Sequence, residues 1–383
     1  MPKASRLLLA LALSAAPLAA QAPPFSTELT LGFRYAGSST DRPLVVLDGA
    51  PSAGYDYSAD GSVHAVEVAA TRWLAPVGDD GATPLALLPY VSRASSVTAA
   101  FALSATRRES IGRFDGRESA LEVSFAGDGS VRDAALGAEW FLGRSVALRG
   151  GIAYSADRET AASTSIESPS GRADVSTAAT RASLAAGTAG VAVRLGEHEV
   201  SLSGRYGASG LTREDASAFT GGGAPFLATL ESEGIVREAA LAARLLFLGR
   251  RLVVDASGSW AAESSSADLS TVPSRPYAKG SAIGRAGSLA ATFYPARALG
   301  LSIGFAYATR DASSGAPGRE RPSSAETERR YRASVRWYAS PRAAAFLSGE
   351  WLESASVTPP DGPTFQRFES STGRVVLGAA LRL

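Results

Sequence analysis

The same two-stranded pattern occurs at several places along this chain. Residues 138–154 read AEWFLGRSVALRGGIAY, in which two aromatics precede a short break and large apolar side chains then fall on every second position. Residues 245–260, 291–307 and 335–351 repeat the pattern, and 191–206 is a weaker copy that lacks the first aromatic. Alternation with a period of two indicates half-buried strands. Repeated hairpins of this kind predict an all-β fold, either an array or a barrel.

Residues 1–22 are typical of a secretory signal peptide. A basic start, Lys3 and Arg6, precedes an apolar stretch that ends in the small-x-small sequence AQA. Residues 23–383 are therefore expected to be the mature chain, and they hold no apolar run of the length that a transmembrane helix needs. The sequence has no cysteine, which excludes disulfides and thiolate metal sites.

The spacing of the aromatics favours a barrel in a lipid bilayer over a secreted β-sandwich. Ten residues separate Arg297, in a turn, from Tyr307 at the end of the next strand. At about 3.3 Å per residue and a tilt of about 40°, ten residues climb about 25 Å, which is the height of the apolar band of a transmembrane β-barrel. Trp and Tyr favour such interfaces because the ring can lie among acyl chains while its N–H or O–H stays wet.

Two girdles of aromatic side chains are therefore predicted, one at each edge of the apolar band. The girdle near the short turns is predicted to contain Trp73, Trp140, Phe247, Phe293, Tyr294, Trp337 and Tyr338. The opposite girdle is predicted to contain Tyr154, Tyr206, Trp260, Tyr307 and Trp351.

Fourteen antiparallel strands are expected, with the last strand closing on the first. The difficult region is 118–142, where the apolar parity changes between Leu121–Phe125 and Leu136–Trp140. The GDG at 127–129 is either a bulge within one long strand or a hairpin turn that raises the count to sixteen.

This architecture resembles that of bacterial outer-membrane β-barrel proteins, and of porins in particular. Residues 71–97, TRWLAPVGDDGATPLALLPYVSRASSV, are also similar to a segment of a group of porin-like proteins. The resemblance implies an outer-membrane location, with the lipid bilayer, small solutes and the outer-membrane assembly machinery as partners. Many such barrels end in Phe or Trp, which that machinery reads, whereas this chain ends in Leu383.

Strand parity assigns most charged side chains to the inner wall. An arginine facing lipid at mid-bilayer would cost about 2–4 kcal/mol, so the lumen is the favourable place for it. The predicted pore-lining residues are Arg149, Arg194, Arg205, Arg244, Asp255, Arg330, Arg332, Arg336, Glu139 and Glu350.

Three of these arginines, at 330, 332 and 336, share one face of one strand. They form either a positive track that favours anions or a structural ladder of salt bridges. The carboxylates that a ladder would use are Glu139, Glu238, Asp255 and Glu350.

Two segments fit neither strands nor short turns. Residues 75–93 are too long for a turn and are expected to form a structured loop packed under the barrel, with a cap or the edge of a plug as alternatives. Residues 209–234 form an expected outer loop whose apolar centre either folds into the lumen, packs on neighbouring loops or contacts a partner. The outer loops are neutral or acidic, and the precursor's net charge of +1 gives no sign of nucleic-acid binding.

Enzymatic motifs are weak. GLSIG at 300–304 matches a nucleophile-elbow string, but it falls in mid-strand and not at the required strand-to-helix turn. Only two histidines, His64 and His198, are present, which argues against a transition-metal site, and no cofactor is expected. The leading hypothesis is a porin-like channel for passive diffusion of small solutes, with a mild preference for anions. The alternative is a non-conducting barrel that acts through its outer loops as an adhesin or structural anchor.

Overall fold

Fourteen antiparallel strands form one closed barrel in the computed structural model of this protein. The structure describes residues 24–43, 54–115, 120–168, 172–219, 226–269, 278–315, 321–357 and 367–383. The strands are β1 (Phe25–Pro43), β2 (Gly54–Val77), β3 (Ser96–Asp115), β4 (Ala120–Leu142), β5 (Val146–Ser168), β6 (Arg172–Leu195), β7 (His198–Phe219), β8 (Phe226–Phe247), β9 (Leu252–Leu269), β10 (Ala278–Ala296), β11 (Leu299–Gly315), β12 (Arg321–Ser340), β13 (Ala343–Val357) and β14 (Arg367–Arg382). The predicted fold class and strand count are confirmed. The predicted signal peptide lies outside the described residues.

Each strand pairs with its neighbours in sequence, and the ring closes between the first strand and the last. On β1, Leu29 lies opposite Leu381 of β14, and Tyr35 lies opposite Val375. Closure matters because an open sheet edge in lipid would leave backbone N–H and C=O groups without partners.

The region that left open a count of sixteen is one continuous strand, β4. Gly127 and Gly129 lie opposite Arg108 and Thr106 of β3, with no shift of register between them. The GDG is therefore neither a hairpin turn nor a bulge. The outward parity does not change either, because Phe125 is half-buried on the inner side while Trp140 is exposed on the outer side.

The pattern inverts because β4 extends beyond the apolar band. From Leu142 to Phe125 the strand rises about 40 Å, well beyond an apolar band of about 25 Å. Past the band the outer face meets water, so apolar side chains turn inward.

A belt of exposed apolar side chains surrounds the barrel near its short turns. On β11, Leu301, Ile303, Phe305 and Tyr307 are between 41% and 70% exposed, while Ser302 between them faces the lumen. From Leu299 to Tyr307 the belt spans a rise of about 20 Å, close to the thickness expected of a lipid-facing band. A bilayer is the environment in which such a surface is stable.

The barrel wall continues far beyond this belt on the long-loop side. The strands have 15 to 24 residues, whereas about 9–11 are enough to cross a bilayer. Residues 209–219 and 226–234 belong to this wall, with Ser217 of β7 opposite Phe226 of β8. The prediction that 209–234 is a loop, folded inward or not, is therefore wrong for these residues, and Gly221–Gly223 lie outside the described part.

The connection between β2 and β3 is the one described connection that forms its own structure. It contains a 3₁₀ turn, Leu85–Leu87, and a short helix, α1 (Leu88–Ser92). Arg93 ends α1 in the left-handed conformation, with φ of 54°. No helix in the described ranges is long and apolar enough to span a membrane. We call residues 78–95 the plug, for reasons given below.

Two substitutions on the outer face test the depth of the belt. Ile303→Arg places a charge near mid-bilayer, at a cost of about 2–4 kcal/mol, whereas Trp337→Arg lies near the short turns, where the arginine can snorkel to water at about 0–1 kcal/mol. Both native side chains are exposed on the outer face. We expect a larger loss of folding free energy for Ile303→Arg in liposome titrations, and equal losses would contradict the belt's position.

Candidate transport pathway

The ten residues predicted to line a pore all take the inward parity of their strands. Each of them forms an inner-wall ion pair or lines a cavity in the lumen; they are Arg149, Arg194, Arg205, Arg244, Asp255, Arg330, Arg332, Arg336, Glu139 and Glu350. Their participation in conduction stays a prediction.

The salt-bridge ladder, one of the two alternatives for Arg330, Arg332 and Arg336, forms with only one of its four predicted carboxylates. Three of its four carboxylates pair with other arginines, namely Glu139 with Arg149 at 2.6 Å, Glu238 with Arg205 at 4.0 Å and Asp255 with Arg244 at 2.7 Å. Only Glu350 reaches the track, at 3.7 Å from Arg330. Outside the predicted set, Glu328 pairs with Arg330 at 2.7 Å and Glu28 with Arg336 at 3.7 Å. Of the three arginines, Arg332 therefore has no ion pair among the described residues.

Nine of the twelve predicted girdle aromatics lie on the outer face and are between 41% and 56% exposed. They are Trp140, Phe247, Phe293, Trp337, Tyr154, Tyr206, Trp260, Tyr307 and Trp351. Their contact with lipid stays a prediction.

The other three, Trp73, Tyr294 and Tyr338, are not girdle residues. They are only 5–7% exposed and face inward at the short-turn end of the barrel. Trp73 packs edge-on against Phe25, with ring centroids 5.4 Å apart. The physical reason for this placement is that the plug supplies an apolar surface inside the barrel mouth, which the sequence pattern did not reveal.

The plug buries its apolar side chains inside the mouth of the barrel. Leu85 and Leu88 pack in one cluster with Trp73 and Tyr338, and Leu87 packs in a second cluster with Tyr294. The wall residues in these clusters come from β1, β2, β8, β9, β10, β12, β13 and β14. The expected loop packed under the barrel therefore lies within the barrel end and contacts many strands around it.

Hydrogen bonds join the plug to the short turns on several sides. The Leu85 N–H donates to the Arg297 carbonyl at 3.0 Å, and the Arg382 guanidinium donates to the Leu85 carbonyl at 2.9 Å. Arg93 donates to the carbonyls of Arg144 and Gly196, in the β4–β5 and β6–β7 turns. The plug thus crosses the mouth, held by arginine side chains and by the backbone bond to Arg297, without a strand ladder.

Asp80 organises the first turn of the plug. Its carboxylate accepts hydrogen bonds from the N–H groups of Ala82 and Thr83, at 3.0 and 2.7 Å, and pairs with Arg250 of the β8–β9 turn at 3.4 Å. Partial burial opposes ionisation, but the bonds from Thr83 and Ala82 and the charge of Arg250 outweigh it and lower the pKa of Asp80 below its ordinary value.

Tyr90 fixes the helical part of the plug. The Arg194 guanidinium lies 4.0 Å from the Tyr90 ring centroid and donates to the Tyr90 carbonyl at 2.6 Å. Arg194 is itself buried and pairs with Glu199 at 2.9 Å. Burial raises the pKa of the Tyr90 phenol, and the nearby charge of Arg194 opposes that rise. Cation–π contacts strengthen when the cation is desolvated, as it is here.

A cavity of about 630 Å³ lies in the lumen directly beyond the plug. Ala86 and Leu87 of the plug and Tyr294 of the wall contribute to its floor. Six arginines line it: Arg34, Arg244, Arg330, Arg332, Arg336 and Arg374. The parity argument could have placed Arg34 here, because it alternates with Phe33 and Tyr35 on β1.

The histidines and the GLSIG string do not come together. The Ser302 hydroxyl shares a hydrogen bond with Thr292 at 2.7 Å. His198 accepts a hydrogen bond from the Leu246 N–H at 3.2 Å, and His64 contacts the ring of Tyr35. Each group thus has a structural contact of its own.

Comparison with known proteins gives matches in structure alone. No protein-family model and no curated protein sequence matches this chain. The deltaS2 mutant of TodX, titled a monoaromatic hydrocarbon channel, matches with a TM-score of 0.57 and 12% identity over 97% of this chain and 94% of that one. The toluene transporter TodX of Pseudomonas putida matches with a TM-score of 0.56, 12% identity and the same coverage.

The chain is an outer-membrane β-barrel. This conclusion rests on the closed ring of strands, the exposed apolar belt and the shared fold, and it confirms the predicted class and location. A Pseudomonas aeruginosa homologue of FadL also aligns, at a TM-score of 0.49 and 12% identity over 93% of this chain and 90% of that one. At such identities the likeness concerns the fold.

A glycine beneath Tyr294 tests how the wall supports the plug. A Cβ added to Gly300 would lie 2.9 Å from the Tyr294 ring, so Gly300→Ala should displace the ring from Leu87 and loosen the plug. The chain has no natural cysteine, so Ala86→Cys gives a single reporter thiol. We expect faster maleimide labelling of that thiol in Gly300→Ala than in the parent.

The matched control is Gly349→Ala on β13, where an added Cβ meets nothing within 4 Å. Its labelling rate should equal that of the parent. Equal rates in all three proteins would show that Tyr294 does not support the plug.

Proposed function

We propose that this protein is an outer-membrane channel for small solutes, closed at its periplasmic mouth by the plug. Short turns of such barrels face the periplasm, which orients the plug toward that compartment. The sequence predicts a channel for passive diffusion, and the proposal adds a gate to it. The proposal assigns no catalysis to the barrel.

The observation that carries the proposal is the plug's mode of attachment. Ala86 and Leu87 of the plug contribute to the floor of a lumen cavity, yet the plug is held mainly by side-chain contacts with several turns and strand ends. A segment bound in this way can leave the mouth without breaking the sheet that closes the barrel. Barrels of this strand number have room for a solute pathway inside.

The solved structures support transport as the class of function. Both TodX structures carry titles that describe a channel or a transporter. The solute does not transfer with the fold, because a hydrocarbon has no group that can pair with the arginines of this lumen. The non-conducting alternative would act through outer loops, yet the outer segments that the structure describes are largely barrel wall.

A reversible cross-link tests the gate. Leu87 of the plug and Val253 of β9 belong to the same buried cluster. In the double variant Leu87→Cys/Val253→Cys, a short bifunctional thiosulfonate should tether the plug to the wall. We expect planar-bilayer conductance to fall on cross-linking and to recover with reductant, because the tether holds the mouth closed.

The two single-cysteine variants are the controls and should show no fall. Unchanged conductance after complete cross-linking would exclude the plug as the gate. Absence of conductance in the wild type, in the reduced variant and in Gly300→Ala would contradict the channel itself and favour the loop-based alternative.

Acid should release the plug through Asp80. Because the pKa of Asp80 is lowered in the folded protein, its stabilising contribution is complete above the ordinary value of 3.8 and is lost as pH falls through the lower folded value. Conductance of the wild type should therefore rise as pH falls below about 3.8, the ordinary carboxyl value.

The conductance of Asp80→Asn should already exceed that of the wild type at neutral pH, and it should rise less in acid. Asp133→Asn, on the inner wall away from the plug, is the matched control and should follow the wild type. An Asp80→Asn protein with wild-type conductance at every pH would remove Asp80 from the gate.

A further inference from the structure

The cavity beyond the plug has an excess of positive charge. Its six arginines face three carboxylates, those of Glu67, Asp255 and Glu350. Two of these are committed to one arginine each, Glu67 to Arg34 at 3.3 Å and Asp255 to Arg244 at 2.7 Å. Outside the lining, Glu328 pairs with Arg330 at 2.7 Å and Glu28 with Arg336 at 3.7 Å. Arg332 and Arg374 thus depend on the one lining carboxylate that is left, Glu350.

The sharing is uneven. Glu350 lies 3.2 Å from Arg374 and 3.7 Å from Arg330, so a single carboxylate serves two guanidinium groups. The Arg332 side chain forms no ion pair or hydrogen bond with any residue in the described ranges, although it lines the same cavity. The residue opposite Arg332 on the adjacent strand β13 is Glu350, which already pairs with two other arginines.

Four guanidinium nitrogens at this wall are buried and lack a hydrogen-bond partner among the described residues. They are the Nε atoms of Arg34, Arg330, Arg336 and Arg374. A buried donor left without an acceptor costs about 1–3 kcal/mol, and more when it is charged. Four such donors around one cavity point to an acceptor that enters from solution.

The rest of the lining suits a small solute. Ser302 and Ser334 offer hydroxyl groups, and Leu87, Tyr294 and Phe346 form an apolar side. The cavity therefore has a cationic side and an apolar side, with room for a small organic molecule in about 630 Å³.

We propose that this cavity binds the oxyanion group of a small solute, a carboxylate or a phosphate, before the plug opens. The guanidinium fork donates two parallel hydrogen bonds to either group, which a point charge cannot do. This inference deepens the proposed function, since it names the solute class that the gated pathway selects. The site itself is complete while the mouth is closed.

Calorimetric titration of the refolded protein in non-ionic detergent at low salt tests the site. The probes are inorganic phosphate, acetate and benzoate, with acetamide as the uncharged counterpart of acetate. The wild type should bind the three anions and not acetamide. Benzoate should bind more tightly than acetate because the apolar side contacts its ring.

Arg332→Gln is the decisive variant, because removing Arg332 leaves no described carboxylate without its partner. We expect anion affinity to fall about tenfold or more, the worth of a charge-assisted bond, with little change in heat resistance. Arg332→Lys keeps the charge but loses the guanidinium fork, so its anion affinity should lie between those of the wild type and Arg332→Gln. Arg310→Gln is the matched control, since Arg310 faces the lumen beyond this cavity and pairs with Glu263 and Glu326.

Any of three results would overturn the proposed site. These are a wild type that binds no anion, an equal loss of anion affinity in Arg310→Gln and Arg332→Gln, and an Arg332→Gln protein that keeps the wild-type anion affinity. If the arginines are purely structural, Arg332→Gln should keep its anion affinity but lose heat resistance. Binding is measured on the closed barrel and needs no conductance. Anion binding without any conductance would thus refute the channel alone, whereas conductance without binding would refute the site alone.

Discussion

The hydrogen bond between the first strand and the last is the constraint on which the remaining structure depends. Because β14 pairs with β1, the described ring has no free sheet edge that would expose unpaired backbone groups to lipid. Closure also divides the molecule into an outer face that must be apolar across the bilayer and an inner face that can hold charge. The arginines of the lumen are therefore a consequence of the ring, since the bilayer excludes them from the other side.

The two buried apolar clusters of the described residues form where the plug enters that charged interior. Leu85, Leu87 and Leu88 meet inward aromatics of the wall, and arginines from the turns bind the plug's carbonyl groups. Apolar burial gives the plug its position, and the arginines satisfy backbone acceptors that a short segment cannot pair within itself. The plug is thus packed firmly in the barrel mouth through contacts other than the strand ladder, as the proposed gate requires.

Period-two alternation was sufficient to predict the barrel, the fourteen strands and the inward parity of the ten lumen residues. The alternation gave wrong predictions where burial depended on more than the parity of the strand. Trp73, Tyr294 and Tyr338 have the composition of girdle aromatics, but the plug covers them from inside. The pattern of β4 misled because a strand that leaves the bilayer reverses its apolar face. Neither effect has a local signal, since one depends on a distant segment and the other on height above the membrane.

Two sets of arginines now differ in a way that parity alone could not show. Those at the short-turn end, such as Arg194 and Arg382, are buried and fully engaged with carboxylates, carbonyls and rings. Of those at the cavity, several have a carboxylate partner, but Arg374 shares Glu350 with Arg330, and Arg332 has no carboxylate partner among the described residues. A guanidinium that only held the fold together would gain most from a full set of partners. The incomplete set lies in the cavity beyond the plug. Under the proposals made above, the distribution of partners, more than the number of arginines, separates arginines that hold the plug from arginines available to a solute.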